Sequence, residues 1–274
     1  MFLKKIKNIK SYFRPSYLFL ISIFNRIWDH RLSTLIQVME LGVPIFKIHD
    51  FGKITRLRAS SFEIKEPETL AWIREFDIGD TFMDVGANIG MYSLYAANRD
   101  IKVVAIEPDA LNYALLNLNI RKNDLGKKII PYSIAMHDTE KYSKFNISSF
   151  EWGGALNSFD NELDFQSKKF KPEHVQGVFG TSLDLFIREI SFNPNHLKID
   201  VDGNEYLILE GAKNLLNSNY LKSILVELDE IREDYSQSIS LIEKAGFNLI
   251  EKTNSEIFNR GKFSKTFNHI FKRK

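Results

Sequence analysis

The feature of this sequence that most limits its fold is a regular alternation of short apolar runs with helical patterns, which begins near Glu66. The apolar runs have the length of buried strands, and the segments between them repeat apolar residues every three or four positions. Strands joined through helices pair in parallel, and their sheet is covered on both faces. The predicted fold class is therefore α/β, with a doubly wound, mostly parallel seven-stranded sheet. Its expected strands are 81–85, 103–106, 129–134, 197–201, 224–228, 248–251 and 267–271.

The chain is predicted to have two regions and one insertion. Residues 1–65 are expected to form an N-terminal appendage of basic amphipathic helices and a β-hairpin. The hairpin turn is placed at 50–53 and its second strand at 54–57. Residues 66–274 form the α/β domain, in which the segment at about 142–180 interrupts the alternation. Because long irregular segments in compact domains are often functional, we interpret this insertion as a lid-like arm over a ligand.

Charge is distributed unevenly along the 274 residues, although the formal net charge is only +2. Residues 1–31 contain seven Lys and Arg against one Asp, and residues 260–274 contain six against no acid, so the rest of the chain is acidic. Because an acidic domain repels a polyanion, we expect that the protein has no nucleic acid partner. Basic amphipathic helices are typical of peripheral contact with an anionic membrane, but equally of a terminal helix packed on its own domain.

The absence of cysteine excludes disulfides, iron–sulfur clusters and thiol nucleophiles. No apolar run approaches the roughly 20 residues of a membrane span, and the longest candidate is 17–24. Lysines precede that run as in a signal peptide, but the following residues, 25–30, offer no small-residue cleavage site. We therefore expect a cytoplasmic protein, peripheral to the membrane if its N-terminal helices dock there.

A glycine-containing turn follows the first predicted strand of the α/β domain. The run Asp84-Val85-Gly86-Ala87-Asn88-Ile89-Gly90 joins strand to helix, and Glu107 closes the second strand. In doubly wound folds such a turn faces the ligand, and a carboxylate at the end of the second strand can accept both ribose hydroxyls of an adenosine. The turn lacks the middle glycine on which a pyrophosphate lies. A carboxylate beside it, Asp84, suits the cationic S-adenosylmethionine better than NAD. A nicotinamide-dependent oxidoreductase or epimerase is the alternative.

Further candidate residues follow the fourth and fifth predicted strands. Asp200 and Asp202 end the fourth strand and Glu227 lies near the end of the fifth, so all three are expected at the ligand-binding edge. Methylation of an alcohol needs a base, and we predict that Asp200 is that base or orients the acceptor, with Asp202 as its partner. The three carboxylates could instead bind magnesium or simply hydrogen-bond nearby backbone. We predict no metal, because acidic clusters at this edge are common without one.

Histidines are the other candidate bases. His196 begins the fourth strand, which places it roughly 10 Å from Asp200 at the opposite edge, and it is predicted to be structural. His137 and His174 lie in segments near the ligand edge and are retained as candidates.

Taken in order, these motifs resemble those of the FkbM-type methyltransferases. The matching segments are DVGANIG at 84–90, IEP at 106–108, TSLD at 181–184, KIDVDGNE at 198–205, LEGA at 209–212 and VE at 226–227. The resemblance covers about residues 66–274 and implies a class I methyltransferase (Rossmann-like) fold that uses S-adenosylmethionine. The sequence departs from the family at Asp202, where Glu is common, and at His137, where small residues are more usual.

The resemblance also implies roles for individual residues. Those expected to hold the cofactor are, in chain order, Asp84, Gly86, Asn88, Gly90, Glu107, Met136 and Asp138. The first four would contact its methionine end, the glutamate its ribose, and one of the last two its adenine. The implied activity is O-methylation of a hydroxyl on a saccharide, glycan or natural product. The alternative of a different class is a non-catalytic adaptor that keeps the fold and docks through its basic ends.

Overall fold

A computed structural model describes residues 34–254 and 261–273. The predicted N-terminal amphipathic helices therefore lie outside the described residues. The strands are β1 Thr34–Glu40, β2 Val43–Asp50, β3 Thr81–Val85, β4 Lys102–Ile106, β5 Ile129–Tyr132, β6 Ala135–His137, β7 Lys141–Ile147, β8 Ser158–Phe159, β9 His174–Ser182, β10 His196–Ile199, β11 Ser223–Asp229, β12 Phe247–Thr253 and β13 Thr266–Arg273. The helices are α1 Lys53–Ser60, α2 Phe62–Lys65, α3 Pro67–Arg74, α4 Met91–Asn98, α5 Ala110–Lys122, α6 Leu183–Glu189, α7 Glu205–Glu210, α8 Lys213–Leu216 and α9 Tyr235–Lys244, with a 3₁₀ turn at Gly261–Phe263.

The central sheet has seven strands in the order β12-β13-β11-β10-β3-β4-β5, as the sequence predicted in number and in class. All neighbours pair in parallel except β13, which is antiparallel to both β11 and β12. The order places β3 beside β10 in the middle of the sheet, with Asp84 next to Lys198 in register. The motifs that follow these two strands therefore meet at one edge.

Helices cover both faces of this sheet. Successive strand residues alternate between the faces: Phe82 belongs to the core under α3, α4 and α5, whereas Met83 belongs to the core under α6 to α9. The apolar runs of the sequence are continuous because both faces are buried. No helix within the described ranges is both long enough and apolar enough to cross a membrane.

The hairpin of the appendage differs from the prediction. β1 and β2 pair around Leu41 and Gly42, both at positive φ, so the turn lies earlier in the chain than expected. The predicted second strand at 54–57 is part of α1, and there the prediction was wrong. Thr55 and Ala59 are the buried residues of α1, and their spacing of four is that of a helix face packed on a domain.

The insertion is more regular than the sequence indicated. The strands β6, β9, β7 and β8 form a separate four-stranded sheet in that order. The expected third strand of the main sheet ends at Tyr132, and the chain continues as β6 into this second sheet. Between β7 and β8 lie residues 148–157, here called the strap, which crosses the ligand edge of the central sheet. The strap is the part of the insertion that corresponds to the expected arm.

Candidate active site

A cavity lies at the carboxyl edge of the central sheet. Its wall is formed by the turn after β3, the end of β4, the start of β6, the strap and the loop after β10. Ligands of open α/β sheets bind at this edge. The residues that the sequence singled out can therefore be sorted by whether they reach this cavity.

Gly86 forms the floor of the cavity. Its φ is +84°, and a Cβ there would lie 1.8 Å from the backbone oxygen of Asp200. Only glycine fits, because the turn after β3 touches the backbone that follows β10. Its N–H and that of Ala87 both donate to the Ile106 carbonyl, at 3.0 and 2.9 Å, which ties the turn to β4.

Asn88 and Glu107 form the next part of the wall. The Asn88 N–H donates to Glu107 Oε2 at 2.7 Å, and the Asp109 N–H donates to Glu107 Oε1 at 2.8 Å. Burial raises the pKa of Glu107 to about 8 despite these two bonds. Each carboxylate oxygen can accept a second hydrogen bond, so Glu107 can still receive the hydroxyls of a ribose.

Asp84 and Gly90 lie behind the wall rather than in it. Asp84 is 1% exposed, and its Oδ2 accepts from Ser93 Oγ at 2.6 Å. A Cβ on Gly90 would lie 2.5 Å from Leu116 Cδ1, so this glycine is required for packing between α4 and α5. Their predicted contact with a cofactor stays a prediction, and the structure gives each of them a supporting role.

The two predicted adenine neighbours are separated. Met136 lines the cavity together with Pro108, Ile134 and Phe145, which form an apolar wall. Asp138 is not among the lining residues, and its carboxylate contacts His137 and Thr139. Of the two, only Met136 lies in the cavity wall, and its contact with an adenine stays a prediction.

The carboxylates Asp200 and Asp202 both line the cavity. Asp200 Oδ2 lies 2.7 Å from the ammonium of Lys198, a side chain that is 1% exposed. Asp202 Oδ2 accepts from the Leu156 N–H of the strap at 2.6 Å, and its Oδ1 has no hydrogen-bond partner in the described part of the chain. Burial and the charge of Asp200 raise the pKa of Asp202 to about 6.

Glu227 belongs to a cluster with Asp200 and Glu66, whose carboxylate oxygens lie within 4.8 Å of one another. Glu66 pairs with Lys65; although burial raises the pKa of Glu66, the charges of Lys65 and Lys198 lower it to about 2. Burial and then the charge of Asp200 raise the pKa of Glu227 well above its usual value. Such oxygens are potential ligands of a hard cation, but lysines already balance two of the three carboxylates.

The strap is fastened to the turn and to α5. The Gly154 carbonyl accepts from Asn88 Nδ2 at 2.7 Å and from Asn112 Nδ2 at 3.0 Å. The Gly153 N–H donates back to Asn112 Oδ1 at 2.9 Å. These bonds hold the strap across the cavity.

The three histidines considered as candidate bases do not line the cavity. His196 is buried between Asp80 Oδ2 at 2.8 Å and Ser223 Oγ at 2.7 Å, which confirms its structural role. His137 packs edge-on against Phe159, and His174 lies beside Phe150; neither lines the cavity.

Sequence reasoning missed the basic residues of the site and Glu66. Lys198 could have been found, because it lies two residues before Asp200 and alternate residues of a strand share a face. Arg58 and Lys65 come from the appendage and Glu66 is the first residue after it. None of them carries a motif, so only the tertiary structure brings them to this edge.

Comparison with known proteins supports the fold and the family. Residues 84–249 match the family model described as Methyltransferase FkbM domain. A methyltransferase FkbM of known structure from Methylobacillus flagellatus KT is similar at a TM-score of 0.50 and 14% identity, over 77% of this chain and 49% of that one. The chain thus spans about half the length of that relative, and the likeness shows a class I methyltransferase fold.

Two further structures are similar at lower scores. A tRNA methyltransferase from M. jannaschii has a TM-score of 0.46 and 15% identity, covering 89% of this chain and 57% of that one. Fibrillarin from Aeropyrum pernix, crystallised with S-adenosyl-L-methionine, has a TM-score of 0.44 and 11% identity, covering 76% of this chain and 74% of that one. No curated protein sequence matches this chain significantly.

Proposed function

The chain belongs to the methyltransferase FkbM domain family, and from that premise we propose that it methylates a hydroxyl oxygen of a saccharide, glycan or natural product. It is an S-adenosylmethionine-dependent methyltransferase. The observation that carries the proposal is the position of Asp202. Its Oδ1, without a described hydrogen bond, belongs to the cavity that Gly86 and Glu107 also line.

The residues present fit S-adenosylmethionine. Gly86 lets the turn after β3 lie against the backbone that follows β10, so both segments border the same cavity. Glu107 follows β4, the position at which a carboxylate binds a ribose in doubly wound folds. Met136 and its apolar neighbours suit an adenine, and the acidic loop after β10 suits a positively charged group. When bound, S-adenosylmethionine supplies a methyl group attached to a cationic sulfur.

Asp202 is placed to act as the base. Methylation of a hydroxyl oxygen releases its proton, and Asp202, which lines the cavity and has one carboxylate oxygen bonded to the strap, can accept that proton through its other oxygen. A pKa of about 6 keeps this carboxylate ionised at neutral pH and close to the optimum for proton transfer. Asp200 is committed to Lys198 through one oxygen. Of the two roles predicted for Asp200, this ion pair favours that of orienting the acceptor.

The charge of the cleft supports a neutral, hydroxylated acceptor. The carboxylates of Asp200 and Asp202 accept hydrogen bonds from O–H groups but repel phosphates. A saccharide offers several neighbouring O–H donors, whereas a nucleic acid presents a dense row of phosphate charges. This electrostatic argument also supports the expected absence of a nucleic acid partner.

Cofactor binding is tested first. S-adenosylhomocysteine is expected to raise the melting temperature of the purified protein, whereas NAD is not. The reverse result would restore the nicotinamide-dependent alternative.

Methyl transfer is then tested with a deuterated methyl donor and a library of glycans and hydroxylated natural products, read by mass spectrometry. Asp202→Asn is expected to lower transfer roughly 100-fold or more while S-adenosylhomocysteine still binds. The matched control is Asp160→Asn, a surface carboxylate that pairs with Lys141. Transfer to nitrogen or to phosphorylated acceptors alone, or full activity of Asp202→Asn, would contradict the proposal.

The basic residues 1–31 are proposed to place the protein at the cytoplasmic face of an anionic membrane. Binding to vesicles with anionic lipids, and its loss when residues 1–31 are removed, is the expected result. Equal binding to neutral vesicles would contradict it.

A further inference from the structure

Arg58 is supplied by α1 of the appendage, outside the segment matched by the family model, yet it reaches the edge of the cleft. Its side chain is half-buried, and its Nε donates to the Gly153 carbonyl of the strap at 2.9 Å. A residue that the family match does not include is thus bonded to the segment that crosses the cavity.

The contact between α1 and the strap is close. Gly153 has a φ of +82°, and a Cβ there would lie 3.2 Å from Ile54 Cγ2 and 3.4 Å from Arg58 Nε. Next to it, Trp152 stacks on Phe51 with ring centroids 4.5 Å apart. The start of α1 and this part of the strap therefore form one packed unit.

The same strap holds the proposed base. The Leu156 N–H donates to Asp202 Oδ2, and Gly154 is bonded to Asn88 of the cofactor turn. Arg58 and Asp202 are therefore bonded to the two ends of a four-residue stretch, 153–156. A change at Arg58 that releases Gly153 also loosens the bond that orients Asp202.

Arg58 is also electrostatically distinct from the other cations of the cleft. Lys198 and Lys65 each form an ion pair, with Asp200 and Glu66 respectively. In the described ranges, no carboxylate lies within ion-pair distance of Arg58. Its positive charge acts at longer range on Asp200 and Asp202.

The charge of Arg58 has a defined effect on Asp202. Burial and the charge of Asp200 raise the pKa of Asp202, and the hydrogen bond from the Leu156 N–H and the charges of Arg58 and Lys65 oppose this rise. Hydrogen bonds to the ionised form and nearby positive charge both favour a buried carboxylate in its charged state.

We propose that Arg58 is a positioning residue of the methyl-transfer site, which fastens the strap across the cleft and supplies the positive charge that balances Asp202. The inference rests on the proposed role of Asp202 as the base. If Arg58 only held the strap, without acting through its charge, Arg58→Gln and Arg58→Lys would shift the titration of Asp202 equally.

The experiment compares Arg58→Gln, Arg58→Lys and the matched control Arg56→Gln in the full-length protein. Arg56 lies on the same helix, pairs with Asp50 at 2.8 Å and is 67% exposed. The titration of the Asp202 carboxyl is followed by ¹³C NMR with labelled aspartate, its resonance being assigned by Asp202→Asn. The exchange rate of the Leu156 amide reports on the strap.

Arg58→Gln is expected to raise the titration midpoint of Asp202 by roughly one pH unit and to speed exchange at Leu156 about tenfold. Arg58→Lys is expected to raise the midpoint less than Arg58→Gln does, because it keeps the charge, while exchange at Leu156 still increases. Arg56→Gln is expected to change neither.

An unchanged Asp202 midpoint in a folded Arg58→Gln protein would overturn the inference. If circular dichroism shows that Arg58→Gln does not fold, Arg58→Met, with similar bulk and no charge, takes its place under the same criterion. None of these measurements needs an acceptor. A failure to methylate any hydroxyl would refute the proposed function, whereas an unmoved midpoint would refute only the role of Arg58.

Discussion

The buried ion pair between Lys198 and Asp200 yields the sharpest stability prediction. Lys198→Met keeps the bulk of the side chain and removes its charge. The ammonium lies 2.7 Å from Asp200 Oδ2 and 5.1 Å from the centroid of the Tyr92 ring, and the side chain is 1% exposed. Asp84, its neighbour in register on β3, is also buried. The substitution therefore leaves three carboxylates, those of Asp200, Glu66 and Asp84, with less compensation.

The expected cost follows from this environment. Loss of one partner of a buried pair typically costs about 3–5 kcal/mol, because the other charge stays buried without a counter-charge. The side chain of Asp200 is 22% exposed, so water compensates part of the loss. We expect the free energy of unfolding to fall by about 3 kcal/mol, which a domain of ordinary stability survives.

Urea unfolding followed by circular dichroism measures this change. The matched control is Lys141→Met, which breaks the surface pair with Asp160 at 2.8 Å and should cost under about 1 kcal/mol. In the double variant Lys198→Met/Asp200→Leu both charges are absent, and part of the lost stability should return.

Two results would refute the reasoning. One is a loss for Lys198→Met no larger than that for Lys141→Met, which would mean that water reaches the Lys198 ammonium. The other is strict additivity in the double variant, which would mean that the two side chains do not interact.

Four further predictions concern pH, a metal and the cavity floor. Burial lowers the pKa of His196 and of His269 from 6.5 to about 4, so between pH 6.5 and 4 only the unfolded chain takes up their protons. Each histidine should therefore remove roughly 3 kcal/mol from the free energy of unfolding as pH falls from 6.5 to 4. His196→Gln should flatten the slope of the free energy of unfolding against pH. The rate of methyl transfer should fall below pH 6 as Asp202 takes up a proton, and a rate independent of pH from 5 to 8 would contradict its role as base. Millimolar EDTA should leave the rate of methyl transfer unchanged within roughly twofold. If EDTA abolishes transfer and magnesium restores it, the carboxylates of Glu66, Asp200 and Glu227 would instead bind a metal. Gly86→Ala should abolish binding of S-adenosylhomocysteine, because its Cβ would meet the Asp200 backbone at 1.8 Å, whereas Gly126→Ala, in open space, should not.

Much of the core of the fold could be predicted because its signals are local. The apolar runs at 81–85 and 224–228 are continuous because strands between two helical layers are buried on both faces. The insertion resisted prediction because its strands β7 and β9 pair over a long loop, and their residues alternate only weakly between buried and exposed. The second strand expected at 54–57 became helix α1, because in so short a segment propensity yields to packing against the domain.

Some residues of the candidate site could also be predicted from the sequence, and others could not. Residues that directly follow strands, such as Gly86, Glu107 and Asp202, could be placed from the sequence, because the carboxyl ends of parallel strands share one edge. The sequence did not show that Asp84 lies behind the wall, since that depends on how α4 packs over β3 and how Ser93 approaches its carboxylate. The sequence also left open which partner each carboxylate has. The ion pair of Asp200 with Lys198 and the hydrogen bond from the strap to Asp202 are side-chain contacts that form only in the folded chain.

The sequence by itself determined the α/β class, the family and the edge at which the chemistry lies, because periodicity and motifs are properties of neighbouring residues. Only the tertiary structure decided which charges surround that edge. Arg58 reaches the cleft because the appendage packs against the strap. Glu66, the first residue after the appendage, lies beside Asp200 and Glu227 although it is far from both in sequence. The protonation of Asp202 depends on burial and on charges from three separate segments, and their sum exists only once the chain is folded.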